Sequence, residues 1–289
     1  MSQPSKGKKV NENPPIKDVE GLRVAMTSWF SRVGREYPWR ATEDGYEILV
    51  SEIMLQQTQV ATVIGRGYYH RWLEKFPDIH TLATADEESV LRAWEGLGYY
   101  SRARNLQKAA RLIVEEYGGV FPRSLSQIEA LPGVGRYTAG AVASFAFNAP
   151  VAAVDANIAR VLARLFDFRE RIDTMPAQRK LLAWATRLVP EAGGRIWNSA
   201  LMELGQHVCR ARSVACDQCP AARWCRASEP LVLPVKKTRT AQTSIDEHVL
   251  LAFRRNRMLL QQEVGRRLSL QLLAERRNLA QVILFLEHP

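Results

Sequence analysis

LPGVGRYTAGAVASFAF (residues 131–147) is the stretch that decides the fold, because two glycines lie immediately before an apolar run of helical length. Gly133 and Gly135 permit a tight turn of the backbone. They also leave amide N–H groups exposed where the next helix begins, which is a position that binds anions. A lone G-x-G indicates no more than a turn. A helix-length segment precedes the Leu-Pro pair, however, so the whole stretch predicts a helix–hairpin–helix, an element that holds a DNA backbone without reading bases.

Apolar residues recur at helical spacing on both sides of this hairpin. GLRVAMTSWFSRV (21–33) carries its apolar residues on one face. In TADEESVLRAWEGLG (84–98), Thr84 and Glu87 are three residues apart, which predicts a capping box at the start of a helix. No stretch before about residue 245 alternates as a strand would, so we predict an all-α body. The same one-sided pattern runs through 105–119, 137–147, 157–166 and 196–209.

Composition and charge narrow the class of protein. Hydrophobic residues make up 46% and charged residues 24% of 289 residues, as in globular proteins that are not embedded in membranes. No apolar run reaches the roughly 18 residues that a membrane span needs. The first fifteen residues lack the apolar core of a secretory signal, and we predict a disordered basic arm over 1–19 and a cytoplasmic, nucleoid-associated location without membrane contact. A formal net charge of +10 favours a polyanionic partner such as nucleic acid.

All four cysteines of the chain fall within seventeen residues. Their spacing is Cys209-x6-Cys216-x2-Cys219-x5-Cys225, and four thiols so close together indicate a metal site. Two disulfides are the alternative, which the absence of a secretory signal disfavours. Zinc and iron–sulfur clusters both accept four thiolates, so the residues themselves leave the metal open.

Two carboxylates occur in sequence patterns that are typical of catalytic acids: one lies in an apolar run and the other at the start of a helix. In LVSEIMLQQTQV (49–60), Glu52 lies inside an apolar run, where burial would raise its pKa; the alternative is an acid on a solvated helix face. In VAAVDANIARV (151–161), Asp155 and Asn157 stand at the head of a helix, which is typical of an N-cap. Capping would also keep the pKa of Asp155 low and its carboxylate ionised.

Several motifs together resemble one family of enzymes. They are PWR (38–40), SEIMLQQTQVATVI (51–64), GLGYYSRARNL (96–106), LPGVGRYTAG (131–140), VDANIARVLARL (154–165) and the four-cysteine loop. Over roughly 20–230 the chain resembles the helix–hairpin–helix DNA glycosylase superfamily, which is endonuclease III-like, and within it the MutY-type adenine DNA glycosylases. LQQTQ and GLGYYSRARNL are specific to that branch.

The resemblance implies a domain organisation and a cofactor. A helical domain with the helix–hairpin–helix would span 44–150, and an iron–sulfur cluster domain would combine 20–43 with 151–228. In that family the cysteine loop binds a [4Fe–4S] cluster that is structural and helps to dock DNA. The ligands would be Cys209, Cys216, Cys219 and Cys225.

The resemblance also implies a reaction on double-stranded DNA. Adenine mispaired with 8-oxoguanine or guanine would be flipped out and its glycosidic bond hydrolysed by a monomer. Glu52 would protonate the adenine, and Asp155 would stabilise the sugar cation or attack it. The remaining site residues would be Tyr137 and Asn157, which orient the acids or the water; Gln57 and Tyr99, which form a wedge; Leu55 and Thr58, which touch the mispair or the base pocket; Gly133 and Gly135 in the hairpin; and Arg40, which contacts phosphate.

Two positions bear on the subclass. Relatives that also cut the DNA strand carry a lysine where this chain has Tyr137, because a Schiff base needs an amine, so a monofunctional glycosylase is predicted. Thymine-mismatch relatives share the VDAN sequence that includes Ala156, which keeps thymine or uracil opposite guanine as an alternative target. A non-catalytic DNA-binding protein is a third hypothesis, which the Glu52–Asp155 pair disfavours.

The C-terminal part departs from the family pattern. Residues 229–245 are rich in basic and hydroxyl side chains and predict a linker. EHVLLAFRRNRMLLQQE (247–263) predicts a β-hairpin, and 268–289 could be helix or strand. We expect 246–289 to be a short, truncated Nudix-like segment, and therefore expect weakened discrimination between 8-oxoguanine and guanine.

Overall fold

The structure is a computed structural model that describes residues 13–238, 253–254, 257–260 and 284–287. The chain divides into two compact units, Met1–Lys237 and Thr238–Pro289. Among the described residues of the first unit, secondary structure is helical apart from one isolated bridge between Cys209 and Val214. The predicted all-α body is confirmed for this unit.

The described part of the first unit contains twelve α-helices joined by short connections. They are α1 (Val19–Val33), α2 (Gly45–Leu55), α3 (Val60–Gly65), α4 (Tyr68–Lys75), α5 (Ile79–Thr84), α6 (Glu87–Ala93), α7 (Ser101–Tyr117), α8 (Leu125–Glu129), α9 (Arg136–Phe147), α10 (Ala156–Leu165), α11 (Met175–Leu188) and α12 (Arg195–His207). Short 3-10 helices lie at Pro38–Arg40, Cys216–Gln218, Ala222–Trp224 and Pro230–Val232.

These helices bury their apolar faces in two hydrophobic cores. One core is built from α2 to α9 around Trp72 and Trp94, both of which are fully buried. The other is built from α1 and α10 to α12 around Trp197 and Leu162. The chain enters the first core after α1 and leaves it after α9, so each predicted carboxylate is carried by a different core. The predicted domain boundaries stay a prediction.

An extended segment between α9 and α10 delivers Asp155 to the junction of the two cores. The buried Asn198 donates from Nδ2 to the Ser144 hydroxyl at 2.8 Å and to the Val151 carbonyl at 2.9 Å, and its Oδ1 accepts from the Ala153 amide at 3.3 Å. Gly140 on α9 permits the close approach, because a Cβ there would lie 2.8 Å from the carbonyl oxygen of Ala152. These contacts fix the backbone of the segment that leads to Asp155.

The predicted capping box at Thr84 is wrong. Thr84 is the last residue of α5, and its hydroxyl donates to the His80 carbonyl at 2.9 Å. Asp86 caps α6 instead, since its Oδ1 accepts from the Ser89 amide at 2.7 Å. The stretch 84–98 contains the end of α5 as well as the start of α6, and the apolar pattern does not show this boundary. Asp86 lies directly before α6 and therefore supplies the capping oxygen in place of Thr84.

The second unit contains an antiparallel sheet among its described residues, with strands in the order β1 (Phe253–Arg254), β2 (Arg257–Leu260) and β3 (Leu284–Glu287). Arg254 pairs with Arg257, so the predicted hairpin is present. Part of the ambiguous C-terminal stretch is a strand, with Leu284 opposite Leu260. The rest of the expected Nudix-like segment, the linker from 239 and the arm up to 12 lie outside the described residues.

None of the helices in the described ranges is long and apolar enough to cross a lipid bilayer.

Candidate active site

Glu52 is a buried acid at the centre of the first core. It lies on α2, whose neighbours Ser51 and Ile53 are buried as well, and only 6% of Glu52 is exposed. Burial raises the pKa of Glu52 to about 7, and the charge of Asp155 raises it further, against a hydrogen bond from Tyr137 that lowers it. The predicted direction of the shift is confirmed, and a solvated helix face is excluded.

Asp155 is the N-cap of α10, as predicted. Its Oδ1 accepts from the Ile158 amide at 2.7 Å, and its Oδ2 accepts from Asn157 Nδ2 at 3.0 Å. The expectation of a low pKa is wrong, however. Burial raises the pKa of Asp155 above its usual range, and this effect exceeds the hydrogen bonds of the cap and the charge of Arg160, which lower it.

The contacts assign different protonation states to the two acids. Asp155 receives two hydrogen bonds and faces the positive charge of Arg160, whereas Glu52 receives one hydrogen bond and faces the negative charge of Asp155. A proton shared by two close carboxyls goes to the group with less support for its anion. Glu52 is therefore the acid that is more readily protonated, and Asp155 is the acid that is more readily ionised.

Tyr137 and Asn157 orient these acids. Burial and the two neighbouring carboxyls raise the pKa of Tyr137 well above its usual value, so its phenol stays protonated and donates to Glu52. The amide of Asn157 has one possible orientation, because its Oδ1 accepts from Arg160 Nη1 at 3.0 Å. Its Nδ2 must then face Asp155. The structure brings together all four residues predicted to be catalytic.

The two predicted wedge residues lie on neighbouring loops in an unusual backbone conformation. Gln57 follows α2 with a φ of 59°, and Tyr99 precedes α7 with a φ of 48°. Both are exposed, Tyr99 to 65%. Side chains other than glycine rarely adopt positive φ, and such strain costs on the order of 1–3 kcal/mol unless surrounding contacts hold it. The two loops thus expose the amide of Gln57 and the aromatic ring of Tyr99 to solvent.

Leu55 and Thr58 flank Gln57 and are less accessible. Leu55 is half-buried and packs against the first core. The Thr58 hydroxyl accepts from Arg102 Nη1 at 3.3 Å. Between them, Gln56 donates to the Thr138 hydroxyl at 3.4 Å and so ties this loop to α9. The sequence does not predict a role for Arg102, since an arginine on an amphipathic helix usually faces water.

The predicted helix–hairpin–helix is present as α8, the turn 130–135 and α9. Gly133 has a φ of 77°, and a Cβ there would lie 2.7 Å from Asn105 Cβ, so both conformation and space require glycine. Gly135 is the N-cap of α9 and makes no side-chain cap. The first amides of α9 lack partners within the helix, as an anion site requires.

Arg40, which was predicted to contact phosphate, makes its contacts within the protein, with a carboxylate, a carbonyl and two aromatic rings. Its Nη1 donates to Glu203 Oε2 at 2.9 Å and to the Arg35 carbonyl at 2.6 Å. Its guanidinium also lies over the rings of Phe30 and Tyr37, at 5.1 and 4.8 Å from their centroids. These contacts use its donors inside the protein, and the phosphate contact stays a prediction.

The four cysteines are free thiols in the loop that follows α12. Burial raises the pKa of Cys219 to about 11, and the charges of the other three cysteines raise it further, so the four sulfurs lie near one another. Arg164 donates to Cys209 Sγ at 3.2 Å. The described residues contain no group of three or more His, Cys, Asp or Glu side chains arranged to hold a metal ion. The donor set is all sulfur, which suits either zinc or an iron–sulfur cluster, because four nearby thiolates repel one another unless a metal offsets their charge.

Comparison with known proteins relates this site to repair enzymes. Residues 50–187 match the family model of the HhH-GPD superfamily base excision DNA repair protein. The adenine DNA glycosylase of Mycolicibacterium smegmatis is 41% identical over 210 residues, which are 72% of this chain and 70% of that relative. That of Homo sapiens is 44% identical over 223 residues, which are 74% of this chain. This chain spans 40% of the human relative's length.

Solved structures agree with this relation. The structure of a thermostable thymine-DNA glycosylase is 28% identical, with a TM-score of 0.64 over 72% of this chain and 97% of that one. An endonuclease III structure in a non-covalent complex with DNA is 27% identical, with a TM-score of 0.58 over 72% of this chain and 95% of that one.

Proposed function

The chain belongs to the adenine DNA glycosylases of the helix–hairpin–helix base excision repair superfamily, and from this premise we propose that it removes adenine mispaired with 8-oxoguanine or guanine from double-stranded DNA. One observation carries the proposal: the buried Glu52, whose pKa is raised to about 7, lies near Asp155, whose carboxylate accepts from the Ile158 amide and from Asn157. An acid for the leaving base and an anion for the sugar are what hydrolysis of a glycosidic bond requires.

The reaction begins with extrusion of the base, because a glycosidic bond inside the stack is inaccessible. Gln57 and Tyr99 enter the space that the base leaves. Glu52 then gives its proton to the adenine as the carbon–nitrogen bond breaks. Asp155 stabilises the oxocarbenium-like sugar. A water molecule then adds its hydroxyl to the sugar, and its remaining proton goes to the carboxylate of Glu52, which restores the acid. During these steps the first amides of α9, which have no partner within the helix, hold the DNA backbone.

We further propose that the enzyme is monofunctional. A second activity, cleavage of the strand, needs an amine that forms a Schiff base with the sugar. Tyr137 offers a neutral phenol that donates to Glu52 instead.

The cysteine loop supports a second proposal, a [4Fe–4S] cluster held by Cys209, Cys216, Cys219 and Cys225. When bound, the cluster would hold this loop in place by neutralising four thiolates. Arg164 already anchors the loop, since it donates to the carbonyls of Cys209 and Arg210 at 3.2 and 2.6 Å. A brown colour and absorbance in the blue distinguish iron–sulfur from zinc in the purified protein.

An excision assay tests the function. Duplexes carry adenine, thymine or uracil opposite guanine, or adenine opposite 8-oxoguanine, and we expect release of adenine alone. Glu52→Gln and Asp155→Asn should each abolish release while duplex binding is retained; Glu116→Gln, an exposed acid on α7, is the matched control. Release of thymine or uracil in place of adenine would assign a different target, and binding without release of any base would indicate a DNA-binding protein.

A further inference from the structure

Arg102 is a buried arginine that joins the two loops carrying Gln57 and Tyr99. It is the second residue of α7 and is 8% exposed. One nitrogen, Nη1, faces the loop after α2, and the other, Nη2, faces the loop before α7. Nη1 has two hydrogens and lies within hydrogen-bonding distance of four acceptors, which are the carbonyls of Ile53 and Met54, each at 3.1 Å, the carbonyl of Gln56 and the Thr58 hydroxyl. Nη2 donates to the carbonyls of Leu97 at 2.9 Å and Gly98 at 3.2 Å.

Two of these acceptors, the carbonyls of Ile53 and Met54, lie in the last turn of α2. The last carbonyls of a helix have no partner within it, and a positive charge at that end is favourable. Arg102 satisfies the end of α2, the helix that carries Glu52. Its guanidinium also lies 5.3 Å from the ring centroid of Trp94 and 5.6 Å from that of Tyr99. A single planar group therefore fixes both loops relative to the acid.

We propose that Arg102 is a positioning residue that holds Gln57 and Tyr99 at a fixed separation, so that both side chains enter the DNA together. The two residues with positive φ directly adjoin its acceptors: Gln57 follows Gln56, and Tyr99 follows Gly98. A lysine could not do the same, because an ammonium is a point charge without the planar fork that spans two loops. The proposal rests on the proposed glycosylase function.

The test compares Arg102→Lys with Arg111→Lys. Arg111 lies on the same helix and makes similar bonds, from Nε to the Ala83 carbonyl at 3.0 Å and from Nη2 to the Ala85 carbonyl at 3.3 Å, but these close the end of α5. We measure single-turnover excision of adenine, corrected for the active fraction, and the fluorescence of 2-aminopurine placed beside the mispair. Misplacement of reacting groups by about 1 Å can cost on the order of 100-fold in rate.

We expect Arg102→Lys to lower the excision rate about 100-fold and to abolish the fluorescence rise that reports unstacking, with no shift in the pH dependence set by Glu52. Arg111→Lys should match the unchanged chain in rate and fluorescence. If Arg102→Lys lowers only the unfolding temperature and leaves rate and fluorescence as they were, the positioning role is refuted. Arg102→Gln, which keeps one amide donor, serves if the lysine variant does not fold.

A double-mutant cycle distinguishes positioning of the loops from a general effect on the site. In a chain with Gln57→Ala and Tyr99→Ala, Arg102→Lys should cause little further loss, because residues that act as a unit are not additive. A full 100-fold loss in that background would refute the proposal. Absence of adenine release from the unsubstituted chain would instead refute the proposed function, so the two failures are distinguishable.

Discussion

Burial of Glu52 raises its pKa, which suits an acid catalyst, but it also lowers the stability of the folded state when the carboxyl is ionised. Its pKa is raised from 4.5 to about 7. A raised pKa means that the folded state binds the proton more tightly than the unfolded state does. The stabilisation from this proton is present in full below pH 4.5 and is lost as the pH rises through 7. The site therefore costs stability at the pH where it works.

The first prediction concerns the stability of Glu52→Gln, which keeps the shape of the side chain without the charge. The unfolding temperature should rise at pH 8 and change little at pH 5. The shift from 4.5 to about 7 corresponds to roughly 3 kcal/mol of unfolding free energy above pH 7. Denaturant unfolding at several pH values measures this gain, and Glu116→Gln should show none. An equal gain at both pH values would contradict the assigned pKa.

The pH dependence of excision gives a second prediction. The rate should fall about tenfold for each unit above pH 7, because only protonated Glu52 donates to the base. It should fall again at acid pH, where Asp155, whose pKa is raised, takes up a proton. The hydrogen bond from Tyr137 lowers the pKa of Glu52, so Tyr137→Phe should move the descending limb to higher pH, by about one unit for a bond to a charged group. Single-turnover rates across pH measure the shift. A limb at the same pH would show that the bond is not made.

At the scale of the element, the hairpin between α8 and α9 offers a pair of glycines with opposite expectations. Gly133 has positive φ and no space for a Cβ, whereas Gly135 has a φ of −95° and nothing within 4 Å of a Cβ. Gly133→Ala should lower the unfolding free energy by about 1–3 kcal/mol and weaken binding to any duplex. Gly135→Ala should leave the unfolding temperature unchanged. Thermal unfolding and salt-dependent DNA affinity are the measurements, and equal destabilisation by both variants would contradict the assigned turn.

Elements also show why some of this site could be predicted and some could not. The hairpin and the cap at Asp155 are local patterns, written within a few consecutive residues. Burial of Glu52 followed from the apolar run around it. The role of Arg102 was missed because its acceptors are up to 49 residues away, and the raised pKa of Asp155 was missed because it depends on what packs over the cap.

At the scale of the whole molecule, the first core positions Glu52 and the second core positions Asp155, so the geometry of the site depends on both cores. Asp155 begins α10, and Arg164 near the other end of that helix is 1% exposed and anchors the cysteine loop through the Cys209 carbonyl. Cys219 packs against the second core. If the proposed cluster holds this loop, it would also support the helix that begins at Asp155.

The last prediction follows from this dependence. Cys219→Ser should remove the brown colour and lower the unfolding free energy by on the order of several kcal/mol, since loss of a structural metal group removes folding energy. Ser213→Ala, in the same loop and exposed, is the matched control and should keep both colour and stability. Chelation of iron from the unsubstituted chain should reproduce the loss of stability seen in Cys219→Ser. A colourless variant that unfolds at the original temperature would show that the second core holds Asp155 without a cluster.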